Sequence, residues 1–130
     1  MKIDWNNHED LPGQGIALAR KFAFGQEMSC LRVEADQSGE LNLPPHWHNN
    51  EQWIVVTEGA VRFACEGVEY ELEAGDVAYI PSGRKHTATY VGPEGAVLLE
   101  FSAPPRLDLA PGSVIPSSMR YNPSPFGGDE

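Results

Sequence analysis

The chain reads as an all-β protein, a sandwich or barrel of short strands, on three observations. Runs of β-branched and aromatic residues recur at regular spacing, Gly or Pro closes each of them, and no segment carries a convincing helical period. Ile16 to Phe24 alternates large residues (Ile16, Leu18, Arg20, Phe22, Phe24) with small or charged ones and stops at Gly25. Met28 to Glu34 is the second strand, ended by the turn-forming Asp36-Gln37-Ser38-Gly39. Trp53 to Glu58 is a β-branched run stopped by Gly59, and Ala60 to Cys65 follows it. Glu66-Gly67 signals a tight turn before Val68 to Leu72. Val77 to Ile80, His86 to Val91 and Ala96 to Phe101 complete the set, and no internal repeat is visible.

With 130 residues, the chain is expected to form one domain around one core. Residues 1–14 read as an N-terminal arm, 15–107 as the strand-rich body and 108–130 as a Pro/Gly-rich tail. Pro104, Pro105, Pro111, Pro116, Pro123 and Pro125 cannot continue a sheet. Yet Val114, Ile115, Met119, Tyr121 and Phe126 are too many apolar residues for a solvated linker. The tail is therefore expected to dock at least in part, across the barrel mouth or onto a partner subunit. Trp53 and Val55 fall on the outward parity of their strand, where apolar side chains of a small barrel meet another sheet or subunit; a homodimer is expected.

Charge and composition exclude several functions. A formal net charge of -10, with no Lys/Arg cluster, argues against nucleic acid. No apolar run approaches a membrane span and the first residues lack a signal-peptide apolar stretch, so no membrane and a cytoplasmic location are expected. Cys30 and Cys65 are too few for a disulfide framework or a Cys-based metal site and read as small apolar residues. The acidity also opposes long-range capture of anions, so an acidic substrate would have to be held by local groups.

The chemistry concentrates in two turn-bounded segments holding three of the four histidines. Imidazole is the commonest side-chain ligand for transition metals, and His46 and His48, two apart on an extended segment, point the same way. The even count brings Gln52, Ile54 and Val56 to that face and puts Glu51 outside; a bulge at Asn49-Asn50 would instead hand the ligand role to Glu51. His86 joins from the second segment. His46, His48, Gln52 and His86 form a neutral ligand set, so a bound divalent ion (Zn, Ni, Fe or Mn) keeps its full charge as a Lewis acid.

Around this set, Tyr90 shares the strand parity of His86 and reads either as pocket-facing or as an aromatic core filler. Glu100 lies in an otherwise apolar strand, either on the solvent face or buried near the metal, where a shifted pKa would suit proton transfer. Arg106 is a candidate carboxylate clamp or a lone exposed arginine. Arg20, Arg32 and Arg62 are further clamp candidates, read mainly as strand-surface residues, and His8 is read as solvated.

The spacing His46-x-His48, three residues, Gln52, six residues, Gly59, together with Gly75, five residues, Pro81-x-Gly83, two residues, His86, resembles the two signature motifs of the cupin superfamily. Tyr90 stands where that pattern often ends in Asn. The resemblance implies a double-stranded β-helix (jelly-roll) barrel over residues 15–107 and a single metal. A narrower likeness, carried by His-x-His-x3-Gln, Glu58-Gly59 and Phe101-Ser102-Ala103-Pro104-Pro105-Arg106, is to the KdgF-type cupins, which convert unsaturated uronates to open-chain keto sugars. In that family a carboxylate six residues before the terminal Arg handles protons; here Glu100 stands at that distance from Arg106. The reading is a metal-dependent isomerase or lyase on a small oxygenated molecule such as an unsaturated sugar acid. A metal-dependent dioxygenase and a non-enzymatic ligand-binding or sensing module are the alternatives.

Overall fold

The computed structural model describes residues 1–12, 18–36 and 38–126. Seven antiparallel strands make one sheet that folds over on itself: β1 (Leu18–Phe24), β2 (Ser29–Ala35), β3 (Gly39–Glu40), β4 (Glu51–Cys65), β5 (Val68–Glu73), β6 (Val77–Ile80) and β7 (His86–Ala103). The main path runs β1-β2-β7-β4-β5, with β3 added to β7 and β6 to β4. Beyond the strands, the described residues hold two 3-10 turns, at Trp5–Asn7 and Leu107–Leu109. No helix among the described residues is long and apolar enough to cross a membrane.

Two expected strand pairs are single long strands. Trp53–Glu58 and Ala60–Cys65 fuse into the 15-residue β4; His86–Val91 and Ala96–Phe101 fuse into the 18-residue β7. The Gly residues between them bend the strands instead of ending them. Near the bend, β4 and β7 slip register between Val56 and Glu58 and between Gly59 and Val61. Gly59 adopts φ 71°, and a Cβ placed on it would stand 1.9 Å from the Gly95 carbonyl oxygen. The two long strands thus turn the barrel corner backbone against backbone. The short β3 carries no periodicity to announce it, and residues 16–17 of the expected first strand lie outside the described residues.

Inward parity fills the interior. Phe22, Leu31, Val33, Ile54, Val56, Val61, Phe63, Leu72, Ile80, Val91 and Leu98 form one apolar cluster. Leu11 of the N-terminal arm joins it, its N–H donating to the Arg20 carbonyl at 2.8 Å. On the outer face Trp53 and Tyr79 remain 44% and 47% exposed, their rings in tilted contact at 4.6 Å between centroids.

The corner yields a paired test. Gly59→Ala forces a side chain into the Gly95 backbone and should cost about 3 kcal/mol or more. Gly75→Ala also has positive φ (97°) but meets nothing within 4 Å, so it should cost only about 1–2 kcal/mol. Urea unfolding midpoints compare them; equal losses would show that the corner has room.

Candidate functional site

A two-bond backbone bridge brings the distant histidine segments together. His46 N–H donates to the His86 carbonyl at 3.0 Å and His86 N–H returns the bond at 2.8 Å. Gly83 N–H donates to the His48 carbonyl at 2.9 Å. The three imidazoles then face one another, with centroids 4.5 Å apart for His46–His86, 5.0 Å for His48–His86 and 6.2 Å for His46–His48.

Each ring is oriented by the same device. Nδ1 lies against a backbone carbonyl: Pro44 for His46 at 3.2 Å, Asn50 for His48 at 2.9 Å and Arg84 for His86 at 2.9 Å. A carbonyl only accepts, so each Nδ1 carries the proton and each neutral ring presents an Nε2 lone pair. His86 Nε2 is buried with no partner among the described residues. Burial holds the His46 ring down to about pKa 4 and the His86 ring to about 3; it lowers His48 as well, with Arg106 adding to the effect. At neutral pH all three are uncharged donors.

Gln52 lies on the inward face, 6% exposed, while Glu51 points outward and accepts a hydrogen bond from the Tyr79 hydroxyl at 3.1 Å. The Gln52 amide Nε2 donates to Glu100 Oε1 at 2.8 Å, which turns its Oε1 toward His48 Nε2 at 3.1 Å. With the His48 proton on Nδ1, two lone pairs meet across that gap, and a cation satisfies both. The donor set therefore fits a borderline divalent ion. Among the described residues, no three His, Cys, Asp or Glu side chains close on one point as a finished ion site.

His46, Gln52 and His86 border a cavity of about 350 Å³ walled by apolar residues such as Leu31, Ile54, Phe63 and Leu98; His48 is buried behind it, 2% exposed. Glu100 lines it, its carboxyl pushed up by burial against the opposing pull of Arg106, Arg20 and Gln52. Arg106 lines it as well. Its Nη2 pairs with Asp108 at 2.8 Å, its Nε donates to Ser118 Oγ at 2.9 Å, and its backbone N–H donates to Ser29 Oγ at 3.0 Å. The C-terminal segment crosses this side of the barrel. Ser117 and Met119 line the cavity, Arg120 bridges Trp47, and the Trp47 indole N–H donates to the Asn122 carbonyl at 2.9 Å.

Two expectations need correction. Tyr90 lies on the outer face beneath the Arg62 guanidinium, 5.0 Å from its ring centroid, and does not line the cavity. The cause is a register shift: Phe63 pairs with Ala88 but Arg62 with Tyr90, so Thr89 is the extra residue and the parity counted from His86 flips. Arg20, read as a surface residue, lines the cavity. Its signal was its parity with Phe22, which is 4% exposed. Arg32 and Arg62 do sit in exposed pairs with Glu34 and Glu71. The His8 ring bonds the Asp4 carbonyl of its own turn, Cys30 and Cys65 are unpaired thiols, and burial raises the Cys30 thiol to about 11. Asp108 and Ser117 carried no sequence signal of a site role, whereas Met119 was among the apolar tail residues expected to dock.

Comparison with known proteins matches residues 32–102 to the family described as Cupin domain. An RmlC-like cupin from Shewanella frigidimarina is 28% identical, with a TM-score of 0.67 over 79% of this chain and 89% of that one. KdgF from a Halomonas species is 24% identical, with a TM-score of 0.67 over 79% and 94%. Bacillus subtilis oxalate decarboxylase, with Mn(II) centres, is 17% identical, with a TM-score of 0.64 over 78% and 28%. These neighbours share the jelly-roll barrel. The chain spans only 21% and 17% of the lengths of the two curated relatives it matches.

The Arg106–Asp108–Ser118 knot generates a pH test. Burial pushes the Asp108 carboxyl up, but the hydrogen bonds from Arg106 and from the Ser118 N–H outweigh it and hold it below the usual range. A carboxyl with depressed folded pKa stabilises above its unfolded value of about 3.9, and that stability is lost as pH falls through the folded value. Asp108→Asn should lower Tm by about 5 °C at pH 7, with the difference closing below about pH 4. Circular dichroism melts across pH measure it; an offset independent of pH would rule out the ionic contribution.

Proposed function

Because the chain belongs to the cupin family, we propose that it is a divalent-metal-dependent enzyme performing an isomerase- or lyase-type reaction on a small oxygenated molecule such as an unsaturated sugar acid. One observation carries this reading: three neutral imidazoles, each with Nδ1 against a backbone carbonyl and its lone pair therefore on Nε2, converge beside a buried amide–carboxyl pair. A surface or core histidine has no need of such an arrangement. His46, His48, Gln52 and His86 would hold the ion, which when bound supplies Lewis-acid polarisation of substrate oxygens.

The remaining chemistry belongs to the chain's own side chains. Glu100 is the proton-handling group. Burial raises its proton affinity, the direction that suits a carboxyl acting as proton carrier. Gln52 orients it through the 2.8 Å amide bond, fixing which carboxyl oxygen stays free to face the cavity. Leu31, Ile54 and Leu98 keep the cavity dry, which strengthens each polar contact inside it. Tyr90, on the outer face, takes no part. The likeness to KdgF, in fold, and the three-His-plus-Gln ligand pattern support the sugar-acid class.

Elemental analysis of protein purified without a His-tag or added metal should find about one transition-metal ion per chain. Zn favours the isomerase reading, and Fe, Ni or Mn directs the search to oxygen uptake. Protein that holds no metal and regains none from divalent salts would overturn the proposal. Glu100→Gln should keep the metal yet lower kcat by about 10²–10⁴-fold, followed as loss of the ultraviolet absorbance of an unsaturated uronate. Unchanged turnover would remove Glu100 from the mechanism.

A further inference from the structure

We propose that Arg20, in the middle of β1, is the residue that receives the carboxylate of the substrate, and that Arg106 is a positioning residue that fastens the C-terminal segment. The inference rests on the acid-substrate reading above and assigns which cation meets the acid.

The two guanidiniums on the cavity are not equivalent. Arg106 is engaged: Nη2 is ion-paired to Asp108 at 2.8 Å, Nε donates to Ser118 at 2.9 Å, and the Arg106 and Asp108 side chains are only 11% and 5% exposed. Its charge is matched by its own neighbour, and its fork is turned toward the tail. Arg20 is held by one corner only, Nη2 donating to the Pro12 carbonyl at 2.6 Å. Its Nε–H is buried with no hydrogen-bond partner among the described residues. A buried N–H left unpaired costs about 1–3 kcal/mol, a penalty that a purely structural arginine would relieve by shifting its side chain. Pro12 anchors one corner of the Arg20 fork, and the side chain lines the cavity.

The carboxylate nearby does not fill that role. Glu100 feels both guanidiniums electrostatically, yet its resolved contact is with the Gln52 amide and it makes no ion pair with either arginine among the described residues. The cavity therefore presents a fixed cation that pairs with no carboxylate among the described residues, and a guanidinium is the group that recognises a carboxylate through charge-assisted hydrogen bonds. Arg20 also answers the electrostatic problem of a chain with net charge -10. Long-range steering repels an acid, so selectivity has to come from a desolvated contact inside.

The test is calorimetric titration of the full chain with D-galacturonate and with its uncharged methyl ester, with metal content measured on every sample. Wild-type protein should bind the acid about ten- to a hundredfold more tightly than the ester. Arg20→Gln should abolish that preference at unchanged metal content, and Arg20→Lys, which keeps the charge but not the fork, should restore part of it. Arg106→Gln should keep the acid preference while exposing the tail to proteolysis. An intact preference in Arg20→Gln, its loss in Arg106→Gln alone, or no wild-type preference (including no binding of either probe) overturns the assignment. Metal-free protein that still prefers the acid would sink the metal reading and leave Arg20 standing.

Discussion

The pairing of β4 with β7 is the constraint on which the rest depends. The register sets Ile54 opposite Glu100, Gln52 opposite Ser102 and Cys65 opposite His86. Because side chains alternate faces, a slip of one residue would carry Gln52 out to solvent and bring Trp53 inside. The buried amide–carboxyl contact exists only because Gln52 and Glu100 are near neighbours on the inner face of these two strands. The corner glycines, the bridge between His46 and His86 and the cavity itself are consequences of keeping the two strands in step through a bend.

What was legible in the sequence follows from where alternation is unbroken. From Glu51 to Val56 the pattern runs without interruption, so the inward placement of Gln52 and the outward placement of Glu51 could be counted off. The same count failed at Tyr90 because an inserted residue at Thr89 leaves no mark in composition. Gly59 and the Gly92–Gly95 stretch were read as strand ends, since Gly in an isolated hairpin ends strands; in a closed barrel the same residues bend them. Arg20 was misplaced for a different reason. Charge argued for the surface and parity for the interior, and parity, set by Phe22 beside it, prevailed. The docking of the tail was visible only in its apolar residues, whereas its partners, Trp47 and Arg106, lie far away in the chain.

The electrostatics of the molecule work on two length scales. The exterior is acidic, with glutamates along β5 paired in part to Arg62. The cavity is different: three imidazoles kept neutral by burial, one carboxyl whose proton affinity burial raises, and two guanidiniums, of which one is already matched by Asp108. The surface charge is screened by water and salt, whereas the cavity groups are screened poorly.

The cavity wall has two sources of unequal rigidity. Most of it is barrel, where any change in side-chain volume is felt through a packed core. Ser117 and Met119 come instead from a strap tied down at a few polar points: Arg106 with Asp108, Trp47 with Arg120 and Asn122. Mutational drift in the strap can reshape the chamber without taxing the fold. Drift confined to Ser117 and Met119 would alter the chamber while the bridge between His46 and His86 stays where the barrel puts it.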